Sequence, residues 1–239
     1  MFYYLLQPII IYNWILIAAA VIPAIFLLIR VYKADRLDKE SPYLLFDLFK
    51  AGIFSALIAL VLERIGSFLL GAAVKDQKLY DILLYFIVVA LSEEGAKYFM
   101  MRRNSWKNRE FNCQFDGVVY GVFVSLGFAA WENISYVLSY GFSAAVVRAV
   151  TAIPGHACFG VFMGIFYGIA KKYANRGSQA AGIFNVLALV IPVLLHGAYD
   201  YIASMEQLQN GWYFTGFIAV MFAVTFFLVG RASKKDTYI

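Results

Sequence analysis

Leu84-Tyr85-Phe86-Ile87-Val88-Val89-Ala90-Leu91-Ser92-Glu93-Glu94-Gly95-Ala96-Lys97-Tyr98 begins as an unbroken apolar run. It then sets two adjacent carboxylates and an ammonium where the run is already deep. Crossing a bilayer core takes about 20 mainly apolar residues. Residues 80–101 supply such a span only by carrying Glu93, Glu94 and Lys97 inside it. An ionisable group at that depth costs roughly a few kcal/mol against lipid, so it faces protein or a wet cavity. Three further apolar segments carry the same anomaly, at Glu132, His156 and His196. Four such segments point to one shared polar cavity.

Outward from that stretch the chain remains apolar. Its 239 residues are 62% hydrophobic and 15% charged, whereas soluble domains are about half apolar and a quarter charged. Seven spans are expected, at 9–29, 44–62, 80–101, 117–139, 144–170, 182–203 and 212–230. The fold class is therefore all-α: a polytopic bundle of about seven transmembrane helices. Residues 1–239 read as a single membrane-embedded domain with its motif-bearing core at 80–203. After the second span, Glu63-Arg64 is followed by apolar Ile65–Val74, which either prolongs the helix or lies along the surface. No basic stretch precedes the first span and four basic residues follow it, the wrong flanking for a cleaved signal.

The net charge of +5 is distributed by side. One set of alternate loops holds Arg30, Lys33, Arg36, Lys39, Arg102, Arg103, Lys107, Arg109, Lys171, Lys172, Arg176, Arg231, Lys234 and Lys235; the other holds Arg64, Lys75 and Lys78. The positive-inside rule then expects the N-terminus outside and the C-terminus in the cytoplasm. Attraction to anionic lipid accounts for the excess charge, so the bilayer and not nucleic acid is the partner. Lys33–Pro42 reads as a solvated loop, and Arg148 as an interfacial anchor reaching outward. Cys113 and Cys158 fall in a loop and a span of a reducing compartment, so no disulfide is expected.

Periodicity aims the polar groups. His156, Gly160, Gly164 and Gly168 share a helical face, and small residues at that spacing let helices approach closely. Gly121, Ser125 and Glu132 form a similar face, as do Asn185, Pro192, His196 and Asp200, with Pro192 able to loosen its helix. By helical rise, Glu93 and His156 lie about 20 Å from the outer ends of their spans. His196 lies about 20 Å, and Glu132 about 25 Å, from the inner ends of theirs. Those depths permit a meeting within the membrane.

Adjacent Glu93 and Glu94 diverge by about 100°, so one can enter a cavity while the other braces a neighbour. Lys97 can pair with either. The trio serves a general base or merely fixes helix packing. Pro154-Gly155 can break the helix before His156, and His196 and Asp200 have the spacing of an orienting pair. Together these groups suit hydrolysis: a glutamate activates water, a histidine stabilises the oxyanion, and a second acid protonates the leaving amine. Zn²⁺ held by His156, His196 and Glu93 or Glu132 is an alternative, although no His-Glu-x-x-His pair is present. A proton-coupled transporter or a non-catalytic binding protein would use the same residue types.

The chain resembles the PrsW family of intramembrane proteases, within the group containing CAAX prenyl proteases and bacteriocin-immunity-type proteins. The resembling blocks are Ser-Glu-Glu-Gly-Ala-Lys-Tyr at 92–98, Phe-Asp-Gly-Val-Val-Tyr-Gly at 115–121, Ser-Leu-Gly-Phe-Ala-Ala-Trp-Glu-Asn-Ile at 125–134, Val-Val-Arg-Ala at 146–149, Gly-His-Ala-Cys-Phe-Gly at 155–160 and Leu-Leu-His-Gly-Ala-Tyr-Asp at 194–200. Asp35–Pro42 is also similar, with Ser41 inserted in the usual Glu-Pro. The resemblance implies that Glu93, Glu94, Glu132, His156 and His196 are catalytic, with Lys97, Asn133 and Asp200 supporting. It implies either no cofactor or a bound zinc, and a bacterial plasma membrane. It also implies site-1-type cleavage of a single-pass anti-sigma factor on its extracytoplasmic side, in an envelope-stress response.

Overall fold

The computed structural model describes the backbone of residues 2–206 and 211–239, and the side chains of residues 11–205 and 211–239. Asn210-Gly211 has turn-forming composition ahead of the last span, and Asn210 lies outside the described residues. The expected all-α bundle is what forms. Its elements are α1 (Phe2–Ala34), α2 (Pro42–Ala73), α3 (Gln77–Leu83), a π-helical stretch (Leu84–Ala90), α4 (Leu91–Ser105), α5 (Asp116–Tyr140), α6 (Phe142–Val150), α7 (Ala152–Asn175), α8 (Ala180–Glu206) and α9 (Trp212–Lys234).

Among the described residues, six segments are long and apolar enough to cross a membrane by themselves. The expected span at 80–101 falls within residues 77–105, which change helix type and carry Glu93, Glu94 and Lys97, so apolar length alone does not find it. After Glu63-Arg64 the chain prolongs α2 to Ala73. The expected span at 144–170 lies within the apolar segment Phe142–Asn175, which turns at Thr151 (φ −120°, ψ −73°) between α6 and α7. His156 therefore lies one turn, about 6 Å, from the start of α7 rather than deep along it.

Backbone contact made possible by glycine sets the centre. α5 is the most buried of these segments, with 78% of its apolar window covered, against 17% for α1 and 11% for α9. A Cβ on Gly164 would sit 2.2 Å from the Gly117 carbonyl oxygen, and one on Gly121 would sit 2.3 Å from that of Gly160. The small-residue stripe of α7 thus packs directly on α5. The other side of α5 meets α2 at similarly close range, through Gly52 and Gly127.

The basic loops gather at one end. Ser41 caps α2 through Leu44 N–H (3.2 Å), and Pro42 suits the first helical turn. The same Ser41 donates its N–H and Oγ–H to the Glu110 carboxylate at 2.6 and 2.8 Å. The insertion in the Glu-Pro pattern thereby ties two loops together. Residues 112–115 take up the 236–239 segment: Ile239 N–H donates to Asn112 O (2.8 Å), and Phe115 N–H to Asp236 Oδ1 (2.8 Å). The Lys33–Pro42 loop is less solvated than its charge suggested, because Asp35 and Glu40 are 2% and 3% exposed. Burial pushes Asp35 up to about 6 despite nearby Lys39, and burial with nearby Asp116 pushes Glu40 up to about 9. Cys113 and Cys158 are both free thiols.

Candidate active site

The π-helical stretch precedes Glu93 and Glu94 immediately, and such turns often mark functional positions. It places Tyr85 and Val89 on the wall of a cavity of about 270 Å³. Glu63 of α2, Glu93 of α4, Glu132 of α5, Arg148 of α6, His156 of α7, and His196 and Asp200 of α8 also line that cavity. The helical divergence of the adjacent acids separates them: Glu93 reaches the cavity, whereas Glu94 is wholly buried and does not line it.

Lys97 links both acids. Its Nζ lies 3.1 Å from Glu93 Oε2 and 2.8 Å from Glu94 Oε1. It also lies 3.1 Å from His156 Nδ1 and 3.8 Å from the centre of the Phe128 ring. His156 Nε2 lies 2.9 Å from Glu132 Oε2. On the other side, Glu94 Oε1 is 2.9 Å from His196 Nδ1, and His196 Nε2 is 3.3 Å from Asp200 Oδ2. A continuous polar chain thus runs from Glu132 through His156, Lys97, Glu94 and His196 to Asp200. Within it, His156 donates from Nε2 to Glu132 and accepts Lys97 at Nδ1. Phe159 stacks on the His196 ring at 4.7 Å and holds its plane.

Arg148 does not reach outward. Its Nη2 pairs with Glu132 Oε2 at 2.8 Å and its Nε donates to Asn133 Oδ1 at 2.8 Å, while its guanidinium covers the Tyr136 ring at 3.9 Å. A carboxylate within reach outweighs the pull of the interface for a bidentate cation. Asn133 also donates to Ala20 O (2.9 Å), so its role here is to hold Arg148 and α1 in place. Glu63, just past the expected second span, also faces this cavity. The signal at Glu132, an ionisable group inside an apolar segment, is also present at Arg148, whereas Glu63 lacks it because Arg64 follows directly.

Among the described residues, the donor atoms that converge as metal ligands would are those of Glu93, Glu94 and His156, within 4.8 Å of one another. His196 is not among them, because its Nδ1 and Nε2 are turned to Glu94 and Asp200. Carboxylate and imidazole donors suit Zn²⁺. The Lys97 ammonium, however, already sits 3.1, 2.8 and 3.1 Å from Glu93 Oε2, Glu94 Oε1 and His156 Nδ1. A metal ion and a seated ammonium do not share one set of three donors. With Lys97 seated there, these donors serve the ammonium, and a metal would require Lys97 to move away.

The profile described as "PrsW family intramembrane metalloprotease" matches residues 40–229. The chain belongs to the PrsW family. Among relatives named Protease PrsW, that of Oceanobacillus iheyensis is 33% identical over 222 residues, 92% of this chain and 97% of its own. That of Bacillus subtilis is 33% identical over 207 residues, 83% of this chain and 86% of its own. That of Halalkalibacterium halodurans is 31% identical over 221 residues, covering 92% and 98%. No solved structure matches the chain. This PrsW-family chain is a membrane-embedded peptidase, and the polar chain at its cavity joins the motif blocks at 92–98, 125–134, 155–160 and 194–200.

Proposed function

We propose that the chain hydrolyses a peptide bond of a single-pass membrane protein by glutamate-activated water, with Glu93 as the general base. The observation that carries this reading is the division of labour between the adjacent acids. Lys97 holds Oε2 of Glu93 at 3.1 Å, leaving Oε1 for a water in the cavity, while Glu94 positions Lys97 and His196 from behind. Water attacks the carbonyl carbon as its proton passes to Glu93; the C–N bond then breaks and Glu93 returns that proton to the leaving nitrogen. The His196 Nε2–H contact to Asp200 is the longest link of the polar chain, at 3.3 Å. It is the N–H most readily turned to the oxyanion. Glu132, held by Arg148, fixes His156, which in turn orients Lys97.

We place the basic end in the cytoplasm of a bacterial plasma membrane, by the positive-inside rule. Along their helices, Glu132 and His196 then lie about 24 Å from that end, and His156 about 28 Å. That depth supports a cut on the extracytoplasmic side. An anti-sigma factor as substrate follows from the family resemblance alone. The test is cleavage of a reconstituted single-pass anti-sigma protein by wild type and Glu93→Gln, each with and without a chelator. Loss in the variant and indifference to chelation is expected. Loss on chelation with rescue by zinc would instead favour the metalloprotease reading, which the family description carries, and would require Lys97 to leave its seat.

A further inference from the structure

A second concavity lies outside the catalytic cavity, between α1 and α9 and floored by α7, with a volume of about 780 Å³. Phe26 of α1 and Phe226 of α9 form its apolar walls and are 61% and 75% exposed. Ala157 and Val161 of α7 form part of the floor. Its mouth at the basic end carries Arg30, Lys33 and Arg36.

We propose that this groove binds an anionic phospholipid, with acyl chain along the α1–α9 walls and phosphate on Arg30, Lys33 and Arg36. The groove's length along α9, from Phe222 to Ser233, corresponds to about 16 Å. That matches one leaflet, half of a hydrocarbon core of about 30 Å. Its apolar walls over that length suit a single acyl chain.

The charge at the mouth is available to a ligand. Elsewhere at this end Arg102 is held by Asn185 (2.7 Å), Lys171 by the Trp106 carbonyl (2.8 Å) and Lys39 by the Tyr32 carbonyl (2.6 Å). Arg30, Lys33 and Arg36 take part in none of the ion pairs or side-chain hydrogen bonds among the described residues. Asp35, the neighbouring acid, is buried and does not line the groove. Basic pockets between helices with an apolar floor are the usual form of anionic-lipid sites. The inference is independent of the proteolytic reading.

The experiment is native mass spectrometry of the full chain extracted from nanodiscs of mixed phosphatidylglycerol and phosphatidylcholine. Wild type should retain phosphatidylglycerol preferentially. The Arg30→Gln, Lys33→Gln, Arg36→Gln triple variant should lose that preference by about fivefold per cation, equivalent to about 1 kcal/mol each. A Cβ at Gly230 meets nothing within 4 Å, so Gly230→Phe projects into the groove without a clash at its base. It should lower retention of both lipids. The loop variant Arg103→Gln, Lys107→Gln, Arg109→Gln should behave as wild type. Equal loss in the loop variant would mean surface charge only and would overturn the site. So would absence of retained lipid in wild type, or undiminished retention in Gly230→Phe. Capture of a substrate segment rather than lipid by a photo-crosslinker at Phe226 would overturn it as well.

Discussion

Removing the Lys97 ammonium would leave Glu93 and Glu94 buried side by side without their shared cation, a change expected to cost about 3–5 kcal/mol. Lys97→Met should therefore lower the thermal midpoint in detergent as well as abolish cleavage. Glu93→Gln keeps the shape and an acceptor for Lys97, so it should fold as wild type while cleavage falls at least about 10²-fold; wild-type turnover in that variant would refute the assignment of the base. At the basic end the sign of a pH effect follows from burial. Asp35 is raised from 3.8 to about 6 and Glu40 from 4.5 to about 9. Each group binds its proton more tightly when folded, so the stability it contributes is present at low pH. It is lost as pH rises through about 4 to 6 for Asp35 and about 4.5 to 9 for Glu40. Asp35→Asn should raise the unfolding midpoint at pH 8, by roughly 2–4 °C for each kcal/mol recovered. The difference should vanish by pH 4; a variant less stable than wild type at pH 8 would show that the carboxylate is needed there.

Among the elements, the α5–α7 contact tolerates no side chain at its closest points. A Cβ at Gly164 would meet Gly117 O at 2.2 Å and Val118 Cα at 2.4 Å, both backbone atoms that cannot rotate away. Gly164→Ala should cost about 1–3 kcal/mol or more. It should also reduce cleavage, since His156 lies two turns along the same stripe. Gly216→Ala in α9, where nothing lies within 4 Å, should be neutral or slightly stabilising. Thermal unfolding of the two variants side by side distinguishes close approach from helix propensity. The four-residue spacing in α7 revealed a packing face, but nothing in it named α5 as the partner. Similarly, Pro154-Gly155 announced a helix interruption near His156, yet the break falls at Thr151, because proline is tolerated within the first turn of α7.

For the molecule in its bilayer, orientation is the property to measure. Cysteine introduced at Leu37, 45% exposed in the basic-end loop, should react with an impermeant reagent only after the membrane is opened. Cysteine at Tyr140, 70% exposed at the opposite end of α5, should react in intact cells. The reverse pattern would invert the positive-inside assignment. The sequence by itself determined the membrane class, the helical architecture and the acids and imidazoles at depth, because bilayer thickness and the cost of buried charge leave few readings of such segments. Tertiary structure alone decided the pairing of those groups. It set Glu93 into the cavity and Glu94 behind it, seated Lys97 among three donors, turned Arg148 inward to Glu132, and prolonged α2 until Glu63 reached the site. These outcomes depend on how separate helices rotate and cross, and their contacts are not determined by spacing within any one of them.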